Sequence, residues 1–113
     1  MLRQRQPRQH DEAHLRFIRS LPCVACEDNT ATEAAHLKMP CAKAAKRNVG
    51  IGEKADDKWT LPLCGEHHRE QHKLGEELFW RQYGIDPVST ASFLFGVSGN
   101  YEMGEAIVRA AQS

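Results

Sequence analysis

A chain of 113 residues, 41% hydrophobic and 27% charged, fits one small domain with a modest core, for which a bound metal would be a useful support. Its 15 basic and 15 acidic side chains cancel, which excludes a uniformly basic coat for nucleic acid and leaves room only for a locally basic face. No apolar run reaches membrane-spanning length, and the polar start "MLRQRQPRQHDE" lacks the apolar stretch of a signal peptide, so a cytoplasmic protein without a membrane partner is expected.

Residues 1–10 carry Arg3, Arg5 and Arg8 around Pro7 with almost nothing apolar, and read as a flexible basic arm ahead of a single domain over residues 11–113. Asp11 can cap a helix in which Leu15, Ile18 and Leu21 share a face and which Pro22 ends. After "CVAC", residues 30–37 predict a short strand. Residues 38–58 predict a long loop, because Pro40, Gly50 and Gly52 interrupt any regular pattern. "WTLPLC" predicts a second short strand, weakened by Pro62. From Gly65 a single helix is expected through "EHHREQHKLGEELFWRQY", with Leu74, Leu78 and Trp80 or Arg81 continuing its pattern and Gly84 closing it. Asp86, Pro87, Gly99 and Asn100 are turn signals, and the remainder predicts one or two short helices packed on the main one. No internal repeat or low-complexity segment is visible.

The chemistry concentrates in the cysteines and histidines. Thiols in a reducing compartment are poor candidates for disulfides, so regular spacing among them points to coordination. Cys23 and Cys26 form a C-x2-C pair, and Cys64 and His67 form a C-x2-H pair at the start of the long helix. Two intervening residues let a tight turn aim both donors at one ion, and thiolates with a neutral imidazole suit zinc. The competing reading makes the cysteines small buried apolar residues; the spacing favours the metal. His68 and His72 are four residues apart and share a helix face, whereas His67 is rotated by about 100° from His68. One helix can thus serve two sites, although such pairs also occur on exposed helices without consequence. His36 stands between Ala35 and Leu37 at the end of the first strand. Should the strands pair and the helix pack across them, His36 would face His68 and His72, and an imidazole near a divalent ion is a suitable general base for water. Cys41 has no partner at useful spacing.

"LPCVAC", "AAHL", "GIGEKADDKWTLPLCGEHHREQH" and "FWRQYG" together resemble the phage-associated branch of the HNH (ββα-metal) nucleases, close to the family of the phage recombination enhancement function nuclease. The resemblance covers about residues 17–85 and leaves 86–113 as a C-terminal helical extension. It implies an α+β fold, a small ββα-metal, treble-clef-like module with a zinc knuckle and flanking helices. It further implies a metal-dependent DNA endonuclease with Cys23, Cys26, Cys64 and His67 on a structural Zn2+, His68 on a catalytic Mg2+ or Mn2+, and His36 as general base. A recombinase or another phage DNA-processing protein would be the partner. Two positions depart from the pattern: Ala35 stands where the acidic metal ligand is usual, and Trp59 lies near the usual Asn. His72 is the candidate replacement ligand, and Asp56 or Asp57 could bind the ion or orient His36; a solvated acidic turn is the equally weighted alternative for these two.

Between residues 38 and 54, in the loop after His36, Lys38, Lys43, Lys46, Arg47 and Lys54 are opposed only by Glu53. Such a loop could straddle a phosphate backbone, though lysine runs are usually solvated surface. No base-reading helix is apparent, so little sequence specificity is expected. The loss of the acid at Ala35 also leaves open a non-catalytic, zinc-supported DNA-binding or packaging accessory, or a module that only binds other proteins.

Overall fold

The computed structural model describes residues 10–39 and 56–112. The arm residues 1–9 and most of the basic loop, including Cys41, Lys43, Lys46, Arg47 and Lys54, lie outside the described residues. The described chain is a small α+β structure with a two-stranded sheet and five helices, in the order α1 (Glu12–Arg19), β1 (Thr32–His36), β2 (Thr60–Cys64), α2 (Gly65–Leu74), α3 (Glu76–Tyr83), α4 (Pro87–Gly96) and α5 (Tyr101–Gln112). No described helix is long and apolar enough to cross a membrane.

Asp11 caps α1 by accepting from the His14 backbone N–H at 3.0 Å, which satisfies one of the donors that a helix start leaves unpaired. Leu15 and Ile18 are buried on its inner face, and Leu21 follows them into the core. β1 and β2 pair antiparallel, with Thr32 opposite Cys64, Ala34 opposite Pro62 and His36 opposite Thr60. Pro62 is accommodated because this sheet has only two strands; its carbonyl accepts from the Val24 N–H at 2.9 Å, tying the cysteine turn to β2. Every β2 residue is buried, since α1, α2 and α4 all pack against that strand.

The single long helix expected from residue 65 to 84 is two helices. Gly75 adopts φ 90° and ψ 149°, a conformation that side-chain-bearing residues resist, and the chain restarts after it as α3. The apolar pattern therefore does not run through the break. Leu74 and Leu78 are exposed, whereas Phe79 and Trp80 are buried in the core beside Leu61, Leu63 and Leu94. Glu76, in the first turn of α3, accepts the backbone N–H groups of Lys38 at 2.9 Å and Met39 at 3.2 Å, fastening the segment after β1 to this helix.

The C-terminal extension forms two helices, α4 and α5, and the second packs on α1. At Gly104 an added Cβ would lie 2.7 Å from Phe17 Cζ and 2.9 Å from Leu21 Cδ2, so only a glycine lets α5 sit this close. At the far end of α5, Gln112 Nε2 donates to the carbonyls of Cys23 at 3.1 Å and Val24 at 2.9 Å. The extension thus braces the cysteine turn directly.

Candidate functional site

Two clusters of side chains share helix α2. The first joins the turn after α1 to the end of β2. Cys23 accepts the Ala25 N–H on its own sulfur at 3.4 Å, while the Cys23 carbonyl accepts from Glu27 at 2.7 Å and the Cys23 N–H donates to Asp28 at 2.8 Å. These bonds wind the C-x2-C turn so that Cys26 returns beside Cys23; the winding puts Glu27 at φ 65°, a left-handed conformation unusual for glutamate. Cys64 ends β2 and His67 lies one turn into α2. Cys64 Sγ to His67 Nδ1 is 3.1 Å, Cys26 Sγ to Cys64 Sγ is 3.9 Å, and Cys23 Sγ to His67 Nδ1 is 3.9 Å.

All four donor atoms lie within 4.8 Å of one another, the one such group of three or more metal-capable donors among the described residues. A tetrahedral zinc ion with bonds of about 2.3 Å to sulfur and about 2.0 Å to nitrogen would set its ligands about 3.6–3.8 Å apart, so the observed spacings suit it. The three thiols, at Cys23, Cys26 and Cys64, are not joined as disulfides. Burial, with the adjacent sulfurs of Cys23 and Cys64, pushes the Cys26 thiol up to about 12. At Cys64 burial acts the same way, but hydrogen bonds from the His67 backbone and ring outweigh it and pull that thiol down. A dication would relieve this crowding by stabilising the thiolates. The His67 ring meets Tyr83 edge-on with centroids 5.6 Å apart, which fixes its orientation. The four donors can therefore hold a metal such as zinc.

The second cluster lines a cleft of about 410 Å³ bounded by His36, Lys38, His68, Gln71, His72, Gly75 and Glu76. His68 and His72 lie on one face of α2 with ring centroids 4.9 Å apart. His36 enters from the end of β1. A carboxylate holds each of two of these rings. Asp57 Oδ1 lies 2.8 Å from His36 Nε2, and Glu33 Oε1 lies 2.7 Å from His68 Nδ1. Asp57 is fully buried, and its other oxygen accepts the Asp11 N–H at 2.7 Å and lies 2.8 Å from His10 Nδ1. His10, assigned by sequence to the arm, is in this way joined to the domain.

Of the adjacent acids, Asp57 makes the bond to His36. Asp56 lines a separate cleft with His10, Asp11, Lys58 and Phe95. Ala35 is fully buried, and Trp59 is nearly so; Lys38 is exposed at the mouth of the histidine cleft. Sequence reasoning missed Glu33 and Gln71. The available signal for Glu33 was the strand pairing itself, which sets Glu33 opposite Leu63 and hence beside the first turn of α2. Gln71 follows His68 by three residues and so shares its side of the helix, but no motif marks it.

The Escherichia coli (strain K12) protein named "Uncharacterized protein YdfU" is 34% identical over 61 residues, which cover 54% of this chain and 16% of that relative. The chain thus spans about one sixth of the length of the relative it matches. No solved structure matches it. The family described as "Protein of unknown function (DUF968)" matches residues 1–98, and the chain belongs to that family.

Proposed function

We propose that this protein is a small metal-dependent DNA endonuclease of the HNH class, folded as a ββα module around a structural zinc ion. One observation carries this reading: His36, His68 and His72 line a single cleft, and carboxylates orient two of the three rings from behind. In this reading Asp57 bonds Nε2 of His36, and Nδ1 would be the nitrogen that takes the proton. Asp57 would hold the ring's orientation and stabilise the imidazolium that forms, the role of an acid behind a catalytic histidine. In the reaction, His36 takes a proton from water, the water oxygen attacks phosphorus, and the phosphorus–O3′ bond breaks as the departing O3′ takes up a proton from solvent. The resemblance to the HNH nucleases implies 5′-phosphate and 3′-hydroxyl products.

His68 and His72 are the candidate holders of a second, divalent ion. The Glu33 bond to His68 Nδ1 leaves Nε2 as the coordinating nitrogen, an arrangement common to metal-bound histidines. Such an ion would supply Lewis-acid stabilisation of charge on the phosphate. Mg2+ and Mn2+ prefer oxygen ligands, so water and phosphate oxygens would complete a set to which this chain gives two imidazoles. The exposed Lys38 at the cleft mouth suits a phosphate backbone.

A second reading, a non-catalytic zinc-supported DNA-binding protein, is favoured by Ala35, an alanine where the resemblance to the HNH nucleases expects an acidic ligand. Incubating the zinc-loaded protein with supercoiled plasmid and Mg2+ or Mn2+, beside a gel-shift assay, separates the two. Nicking is expected. A shift without nicking with any divalent ion would establish the second reading, and neither a shift nor nicking would end both.

A further inference from the structure

The geometry points to Gln71 as the side-chain donor of a phosphate-oxygen subsite in the cleft formed with His36, His68 and His72. The inference rests on the nuclease reading for its role in catalysis, although the binding site itself can be tested without cleavage.

Gln71 is 2% exposed, and its side-chain amide nitrogen has no hydrogen-bond partner. Buried amides without partners are rare in folded proteins because they forfeit their bonds to water without compensation. Among the described residues, the side-chain nitrogens of His14 and Trp80 are also buried without a partner, but neither residue lines the histidine cleft. Gln71 does. It lies three residues after His68 and one before His72, so these side chains occupy one turn of α2, opposite His36 on β1.

The neighbouring groups indicate what is missing. The cleft is lined by imidazoles, an exposed lysine and Gln71, whose unpaired amide lies directly beneath it. The one acid in its lining, Glu76, takes the backbone N–H groups of Lys38 and Met39, and Glu33, outside the lining, takes His68. The unsatisfied capacity is thus donor capacity, and the ligand that fits is an oxyanion. A non-bridging phosphodiester oxygen satisfies a neutral amide donor and brings the phosphorus beside His36. Held by a fixed donor, that oxygen would be stabilised as negative charge accumulates on it during attack by water. The amide role is distinct from that of the two histidines proposed to hold the ion, because Gln71 touches substrate and not metal.

The test uses full-length zinc-loaded protein labelled with 15N. Inorganic phosphate is titrated in, and the side-chain NH2 signals of Gln71, assigned with Gln71→Leu, are followed. A short DNA duplex in Ca2+ is then titrated in the same way. Both probes are expected to move the Gln71 signals, and Gln71→Leu is expected to cut plasmid nicking by about 10²-fold or more, the usual range for a lost oxyanion donor, with zinc content and melting temperature retained. If phosphate moves the signals but the parent never nicks, the subsite stands and the nuclease reading falls. Unmoved Gln71 signals with both probes overturn the inference, whether or not the parent nicks. So does Gln71→Leu nicking at the parental rate. Gln71→Glu supplies the remaining check: a repelled phosphate supports the donor assignment, whereas tighter Mn2+ binding would show that the amide oxygen faces an ion and would overturn it.

Discussion

The two clusters on α2 differ in how complete they are. At Cys23, Cys26, Cys64 and His67 the donors already lie within 4.8 Å of one another, and a turn, a strand end, a helix and the Gln112 brace from α5 hold them there. In the other cluster, His36 and His68 are each held by a carboxylate, and the cleft between the rings is open. A site that supports the fold gains from closing every ligand position, because binding energy there is folding energy. A site that turns over substrate has to leave a position for it. Convergence in one cluster and an open cleft in the other are what the proposed division of labour, one site for the fold and one for chemistry, would require.

The comparison can be broken most forcefully at the zinc cluster. Cys64→Ser is expected to lose the metal and most of the cooperative melting transition, since the apparent binding energy of structural zinc in small domains is about 10 kcal/mol or more. Zinc analysis and calorimetry check this, and a variant that keeps both zinc and the parental melting temperature would remove the cluster from the account. Glu33→Ala addresses the other side. It should weaken Mn2+ binding by about 10- to 100-fold, the usual effect of removing a carboxylate behind a metal-bound histidine, while leaving the tightly held zinc in place. Calorimetric titration of Mn2+ into the zinc-loaded variant reads this directly.

Smaller effects probe the frame that carries both clusters. Gly104→Ala should cost about 1–2 kcal/mol in chemical denaturation, because the new methyl meets Phe17 and Leu21 at distances that force repacking. If α5 is only loosely attached, the substitution will instead stabilise by the better helix propensity of alanine. The smallest effect concerns acid. His14 is fully buried; burial holds its imidazole below the ordinary value of 6.5, against the opposing pull of Asp11 and Asp57. The unfolded chain therefore takes up the proton first. This contribution to stability is present above about pH 6.5 and is lost as pH falls from there towards the lower folded value. His14→Leu should accordingly flatten the fall in melting temperature between pH 7.5 and 5.5, compared at equal zinc content. An equal slope in both proteins would assign the acid sensitivity elsewhere.

Much of this arrangement was legible in the sequence where the signals are local. The C-x2-C and C-x2-H spacings, the Asp11 cap and the i, i+4 pair of His68 and His72 each depend on a few adjacent residues, and the structure places all of them as the spacing implies. The break at Gly75 was not legible, because a glycine inside a periodic run costs only about 1 kcal/mol relative to alanine, and Leu74 and Leu78 continue the helical spacing across it. Nor could sequence choose between Asp56 and Asp57. Neighbouring residues in a turn point in different directions, and only the folded backbone decides which one meets His36. Gln71 carries no motif at all; its interest comes from burial without a partner, a property of the packed structure.

The central claim is that His36 performs chemistry while Cys23, Cys26, Cys64 and His67 hold the fold, and plasmid nicking by His36→Ala, measured beside its zinc content, tests it most directly. The account predicts nicking by the parent with Mg2+ or Mn2+ and a loss of about 10²- to 10⁴-fold in the variant, the usual contribution of a positioned general base, with zinc and melting temperature unchanged. Parental nicking rates in His36→Ala would contradict it.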